Sequence, residues 1–394
     1  MIGKKYLYKI YDVDGRYITT WDDAGTPEFD LKINSGYSEL NVKLPRKFND
    51  FGEGGDVAIG NKLIVAVSDV ESPDGVKIYS GKLSKYHLVM TGKEQYIEAT
   101  FTGYVTELAK RIVESGGNTT INYSTEDPAD VIKDVLDNVA GVVTYDSTSI
   151  DDTGVSVSYD LIQNTALEAI ERMTEISPQN WYWYVDSDDL LQFHEFDPSN
   201  PLKLFIGNHV NRLEVVKSGE TLFNTYYFLG GGTPQLYIKR DRTSSQTEYG
   251  QSDKREQDER ITVSATAEQR ATSFLDQYAK LQMEVTCTVI DSNVDPKKGV
   301  DIDILRPGQA IQIIDPDVNV RTTKWDSAVW DIDSWDYDIK VALNQVLRLE
   351  EIQYRGTHAV LKLGTVLPKI GEEIYKNTIQ LETFRGKDSP TAPS

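Results

Sequence analysis

Asp56-Val57-Ala58-Ile59-Gly60 leads into the apolar run Leu63-Ile64-Val65-Ala66-Val67, and Asp303-Ile304-Leu305-Arg306-Pro307-Gly308 leads into Ala310-Ile311-Gln312-Ile313-Ile314. Each pair reads as a turn ending on glycine followed by a dense β-strand. Each is followed by a loop and then by paired strands that close on a glycine, Gly103 in the first and Gly364 in the second. Recurrence of this kind implies two related β modules in one chain.

Working outward, residues 1–112 read as a first β-barrel module. Residues 6–11 form a strand, Asp14-Gly15 turns it, and 29–33 and 40–44 alternate in polarity. Residues 113–203 change character to a small α+β domain. Asp127 before Pro128 is an N-cap followed by proline at the first helical position. Val131, Ile132, Val135, Leu136 and Val139 then recur at helical spacing. A second helix begins near Asn164, with Thr165 and Glu168 at capping-box distance and a stripe of Leu167, Ile170 and Met173. A hairpin follows, Trp181-Tyr182-Trp183-Tyr184-Val185 and residues 190–196 around the turn Asp186-Ser187-Asp188-Asp189.

Residues 204–364 return to β as a second module. It carries a charged stretch at 239–260, read as an exposed loop, and a helix over 266–281. Ala267, Ala271, Phe274, Tyr278 and Leu281 share one face of that helix, and Gln269 stands at capping-box distance from Thr266. Residues 365–394 form a C-terminal arm, whose last seven residues have the composition of a disordered tail. The expected fold is therefore mainly β with an α+β insert: two similar tube-type β-barrel modules flanking a small α+β domain, plus the arm.

Composition narrows the function. The net charge is −21, and an acidic chain repels phosphate, which argues against specific nucleic-acid binding. The single cysteine, Cys287, rules out an intrachain disulfide and sits in an alternating stretch that suits a buried thiol. The first residues lack a signal-peptide core, and no apolar run approaches the ~18 residues of a membrane span. Synthesis in a reducing cytosol and no membrane insertion are expected.

Catalytic constellations are missing from the sequence. The four histidines, His87, His194, His209 and His358, fall in no metal-ligand spacing. There is no G-x-S-x-G elbow and no phosphate loop; Gly75 to Lys82 comes nearest, with one residue too many and Leu83 where a hydroxyl belongs. The 186–189 turn lacks the glycine and closing glutamate of a calcium loop and reads as a solvated turn. With 62 acidic residues, carboxylate pairs carry no information about glycoside hydrolysis. No cofactor is expected, and the chain reads as a non-enzyme.

The most unusual segment places Trp-Asp at 325, 330 and 335, a five-residue period that fits neither helix nor strand. Trp325, Trp330 and Trp335 read as a structured loop, and as a candidate protein-contact surface. Covering a barrel end and stacking on sugars are the other two readings of the same residues.

Residues 55–67, 78–83 and 97–104 together resemble the N-terminal tube module of phage tail hub proteins, the baseplate hub and tail-tip (tail-associated) family. The order β module, α+β insert, second β module with a helix, and arm is similar to that family over residues 1–364. The resemblance implies a homotrimer in which each chain lends two barrels to a ring. Such a ring adapts the sixfold tail tube to a threefold spike or fibre and lets the genome pass through its lumen. Implied partners are tail tube and distal tail proteins, a spike or fibre protein, and the C-terminus of the tape measure. The implied location is the tail tip or baseplate of a virion, as a late protein made in the host cytoplasm. The competing classes are a carbohydrate-binding receptor protein using the tryptophan loop and a cell-wall or capsule glycoside hydrolase.

Overall fold

A computed structural model describes residues 4–45, 51, 57–68, 75–90, 95–139, 141, 143–314 and 346–364. Trp325, Trp330, Trp335 and the arm at 365–394 lie outside the described residues.

The first region folds into β1 (Lys5–Tyr11), β2 (Tyr17–Trp21), β3 (Phe29–Lys32), β4 (Leu40–Leu44), β5 (Lys62–Ser68), β6 (Val76–Met90), β7 (Gln95–Thr102) and a single turn of helix, α1 (Val105–Leu108). The insert contains β8 (Thr120–Glu126), α2 (Pro128–Asn138), β9 (Val157–Ile162), α3 (Ala166–Ile176), β10 (Trp181–Val185) and β11 (Leu191–Glu195). The last region comprises β12 (Leu202–Phe205), β13 (Val210–Ser218), β14 (Thr225–Gly230), β15 (Tyr237–Asp241), α4 (Thr243–Tyr249), β16 (Asp253–Asp258), α5 (Ser264–Tyr278), β17 (Gln282–Ile290), β18 (Ala310–Ile314), β19 (Val346–Tyr354) and β20 (His358–Gly364). The molecule is mainly β, built on two large curled sheets of half-barrel form. One runs β2-β1-β5-β6-β7-β4, the other β12-β18-β19-β20-β17-β13.

The two sheets repeat one framework. Strands β5-β6-β7-β4 and β18-β19-β20-β17 pair in the same antiparallel order. In the first, Gly60 N donates to Leu83 O at 2.9 Å and Leu83 N to Asn61 O at 2.9 Å. In the second, Gly308 N donates to Leu349 O at 2.7 Å and Leu349 N to Gln309 O at 2.9 Å. Both glycines have positive φ, +92° and +82°, a region that costs other L-residues ~1–2 kcal/mol. The register slips once in each central pair, leaving Ser84 unpaired between Leu83 and Lys85, and Glu350 between Leu349 and Glu351. The closing glycines do not correspond: Gly364 stands opposite Arg348 as Thr102 stands opposite Lys82, so Gly103 lies one residue further on.

A strand from the first region completes the second sheet. β3 pairs antiparallel with β19, Phe29 opposite Tyr354 through Lys32 opposite Glu351. Phe29 and Leu31 point inward, and the Phe29 ring stacks on Tyr354 at 4.9 Å. The inward residues of both sheets consequently form one continuous apolar core.

A second core gathers α2, α3, β10, β11, α5 and the sheet β15-β14-β16. Both predicted caps are present: Asp127 accepts from Ala129 N, and Thr165 and Glu168 form a reciprocal capping box. Two expectations for the last region change. The 239–260 stretch is folded, comprising the end of β15, then α4 and β16. Its polarity reflects strands exposed on one face: β16 alternates exposed and half-buried residues along its parallel pairing with β14. α5 ends at Tyr278, so Leu281 leaves the buried stripe and is 42% exposed. Its N-cap is Val263, without a side-chain cap, because the Thr266 hydroxyl accepts from Ser158 N instead.

The equivalent glycine turns allow a direct test. A Cβ at Gly308 would stand 2.0 Å from the Tyr182 ring, whereas at Gly60 it would meet only Val13 at 3.7 Å. Gly60→Ala is expected to cost about 1–2 kcal/mol, from backbone strain alone. Gly308→Ala adds overpacking and should cost about 3–5 kcal/mol in urea unfolding. Equal losses would contradict the packing described.

Candidate functional site

Strand β10 determines where the insert sits. All five of its residues are buried, because both faces of the strand meet apolar surface. Alternation sends Trp181 and Trp183 into the helical core, and Tyr182 and Tyr184 onto Ile33 beside β3. Asn34, at φ +50°, closes the junction: its N donates to Trp183 O at 2.5 Å and its Oδ1 accepts from Trp183 N at 3.2 Å.

The turn after β10 is only partly solvated, with Ser187 buried and Asp188 exposed, and it is docked. Asp188 pairs with Lys77, Asp189 pairs with Lys62, and the Ser80 hydroxyl donates to Asp189 at 2.6 Å. Asp186 accepts from Asp188 N, Leu190 N and the Gln192 amide, so it holds the turn itself. Asp188 and Asp189 dock the insert on β5 and β6.

The histidines are dispersed. His87 contacts Glu98 at 3.0 Å, His194 contacts Asp151 at 2.7 Å, His209 accepts from Phe205 N, and His358 meets Thr357. Among the described residues no group of three or more His, Cys, Asp or Glu side chains could hold a metal ion. Burial pushes the Cys287 thiol up to about 12, which leaves it inert.

Two features remain open to solvent or ligand. The first is sheet edge: among the described residues β2 pairs only with β1, and β13 only with β17 apart from one bridge between Val210 and Ile206. Tyr17 on β2 is 59% exposed and Val216 on β13 is 49% exposed. Unpaired edges of this kind are templates for another chain.

The second is a cavity of about 470 Å³ between α3, the start of β10, β16 and α5. Arg270 of α5, 3% exposed, forms its floor. One guanidinium nitrogen, Nη2, reaches Glu175 at 2.8 Å and also Glu256. The other, Nη1, lies 3.8 Å from Asp258 and makes no hydrogen bond. Burial would lower the Arg270 pKa, but Glu175 and Glu256 outweigh it and keep the cation. Two more wall atoms are buried without a hydrogen-bond partner, Glu171 Oε1 and the indole Nε1 of Trp183. Burial first, and then the charge of Glu175, push the Glu171 carboxyl up to about 7. No sequence motif marks these residues, which come from positions about 100 apart along the chain.

No protein-family model matches the sequence, and no curated protein matches it. Solved structures do match the fold. The 43 kDa tail protein of prophage MuSo2 from Shewanella oneidensis aligns with TM-score 0.59 at 12% identity, over 92% of this chain and 98% of that one. A tail protein from Neisseria meningitidis MC58 aligns with TM-score 0.57 at 12% identity, over 91% and 96%. Prophage tail protein gp18 from Listeria monocytogenes EGD-e aligns with TM-score 0.58 at 10% identity, over 95% and 99%. The chain thus shares its fold, nearly end to end, with phage tail proteins.

The raised Glu171 pKa has a measurable consequence. A carboxyl near 7 when folded and ~4.3 when unfolded contributes fully at low pH and loses that contribution as pH rises through 7. Glu171→Gln removes the loss. The variant should match the parent near pH 3.5, draw ahead between the unfolded and folded pKa values, and exceed it by roughly 1–3 kcal/mol at pH 8.5 in urea unfolding. A constant difference across that range would refute the assignment.

Proposed function

We propose that this chain is a non-enzymatic structural hub at the distal end of a phage-type tail, three copies of which close into a ring. The observation that carries the proposal is the internal repeat. Two four-strand frameworks share pairing order, glycine turn and bulge position within a chain whose fold matches three tail proteins along its length. Two equivalent modules per subunit let three subunits present six similar units, so one ring can face a sixfold tube and a threefold spike or fibre.

In this reading the first module (1–112) and second module (204–364) form the ring, and the α+β domain (113–203) lies lateral to it. Residues 223–278 extend the lateral body, since their inward side chains join its core. The edges of β2 and β13 pair between subunits, which satisfies backbone groups that have no strand partner among the described residues. The lumen serves as a conduit for the genome: with a net charge of −21 the ring has acids available to repel phosphate and let DNA slide. Partners are the tube and distal tail proteins above, a spike or fibre below, and the C-terminus of the tape measure. Trp325, Trp330 and Trp335 contact one of them.

Native mass spectrometry and electron microscopy of the purified chain, with its tube partner if needed, test the reading. The expected particle is a trimeric ring with a central opening. Val216→Lys, on the open edge of β13, should unfold within about 0.5 kcal/mol of the parent yet weaken trimer formation at least tenfold. A monomer in every condition, or a trimer indifferent to edge charge, would sink the edge-paired ring.

A further inference from the structure

Three ionisable side chains meet where the two modules touch, and when ionised they set two negative charges against one positive. Lys4, just ahead of β1, is ion-paired with Asp291, just past β17, and at 2.6 Å with Asp303 in the turn before β18. The three side chains are 6%, 1% and 7% exposed. Fully ionised, the group would keep one negative charge out of water without a counter-charge of its own. A carboxyl so placed takes a proton more readily than it does in water.

The neighbouring charged groups are engaged elsewhere. Arg306 donates to the Asp303 carbonyl, and Arg355 is paired with Asp30. Asp301 accepts from Asp303 N, and Asp295 accepts from Lys297 N and Lys298 N. His358 meets Thr357. Lys4 is the cation that acts on Asp303, with Asp291 acting against it.

A chain of hydroxyls gives the proton a place. Tyr354 of β19 donates to Asp303 Oδ1 at 2.8 Å, the Tyr354 and Tyr6 hydroxyls are 3.3 Å apart, and Tyr6 donates to Gly356 O at 3.3 Å. With Asp303 ionised, Tyr354 donates to it. With Asp303 protonated, the carboxyl donates to Tyr354, Tyr354 to Tyr6, and Tyr6 to the carbonyl. Hydroxyls serve as donor and acceptor alike, so neither state orphans a donor. Asp291 is held differently, by Lys4 and by Asn293 N. Tyr354 also stacks on Phe29 of β3, which places the proton beneath the strand that joins the modules.

We propose that this cluster couples the union of the two modules to one proton: Asp303 is neutral in mild acid, where the modules hold most tightly, and the junction loosens once that proton is lost. The direction follows from burial, which raises the Asp303 carboxyl against the pull of Lys4 and Tyr354. An acid raised in the folded state contributes fully below its unfolded value of ~3.9 and loses that contribution as pH rises through the folded value. The coupling concerns a single chain and does not depend on ring assembly, so it and the hub role can fail separately.

Urea unfolding of the full chain, from mild acid to mild alkali, tests the coupling with two variants. Asp303→Asn keeps the shape and offers one donor and one acceptor. It should gain on the parent as pH rises, by at most about tenfold in folding constant per pH unit, and level off once Asp303 has titrated. Lys4→Met leaves two carboxylates without their cation, so its loss against the parent should shrink severalfold as pH falls. Infrared difference spectra add a readout that a merely structural role would not move: a protonated-carboxyl band that titrates in the parent and is missing from Asp303→Asn. Offsets constant with pH in both variants, or a gain by Asp303→Asn as pH falls, would overturn the coupling. Identical carboxyl bands in the parent and Asp303→Asn at every pH would overturn it as well.

Discussion

The pairing of four residues, Phe29 to Lys32, with β19 governs the arrangement of everything else. Those residues come from the first module in sequence and complete the second module's sheet in space. They join contacts from β1 in tying the two half-barrels together, where Tyr6 OH meets the Tyr354 hydroxyl at 3.3 Å. With them, Phe29 and Leu31 enter a core that runs through both sheets. Polar contacts fix the register. Lys32 lies 3.6 Å from Glu351, and Arg355 donates to the Asp30 carboxylate and to Phe29 O. Near the start of β1, Lys4 is ion-paired with Asp291 and Asp303 of the second module, all three nearly inaccessible. Burial raises the Asp303 carboxyl while Lys4 and the Tyr354 hydroxyl pull against it, which is the balance of a buried charge held by partners. Removing Lys4 would leave Asp291 and Asp303 buried without their cation, so this contact favours one relative orientation of the modules.

The insert is tied to that body through β10. A strand buried on both faces is unusual in an antiparallel hairpin, where one face commonly meets water. Here tryptophans face the helices and tyrosines face β3, so the hairpin acts as a wedge between two cores. Gly308 belongs to the same junction: the Tyr182 ring occupies the space a side chain would need. The ion pairs from Asp188 and Asp189 to β5 and β6 then set the angle of the wedge. At partly exposed positions such pairs contribute little individually, so their role is orientation more than stability.

Local chemistry was legible in the sequence wherever one segment contains its own explanation. The caps at Asp127 and Thr165, the stripes of α2 and α3 and the β10–β11 hairpin follow from residues a few positions apart. The repeat was legible at its glycine turns, because a positive φ leaves a mark in the sequence. Its closing glycines were misleading, since alternation fixes strand polarity but not register. The charged 239–260 stretch reads as loop because its polarity matches that of a disordered segment, whereas an outer strand with one exposed face is equally polar. The cavity was illegible. Asn34, Glu171, Trp183, Glu256 and Arg270 converge only after β3, α3, β10, β16 and α5 have packed.

The repeat is matched in its hydrogen bonds and unmatched at its margins, and that difference bears on assembly. Beyond β5 the first sheet continues into β1 and β2, antiparallel throughout, while beyond β18 the second continues into the parallel strand β12. Beyond β17 stands β13, and among the described residues β4 has no such neighbour. Four central strands with the same pairing order and bulge position supply the likeness that the proposed ring would require. Edges with different neighbours mean that the two modules would present different strands to any partner. In the proposed ring, a module would therefore be disfavoured at its sibling's contact, because the edge it presents there is a different one.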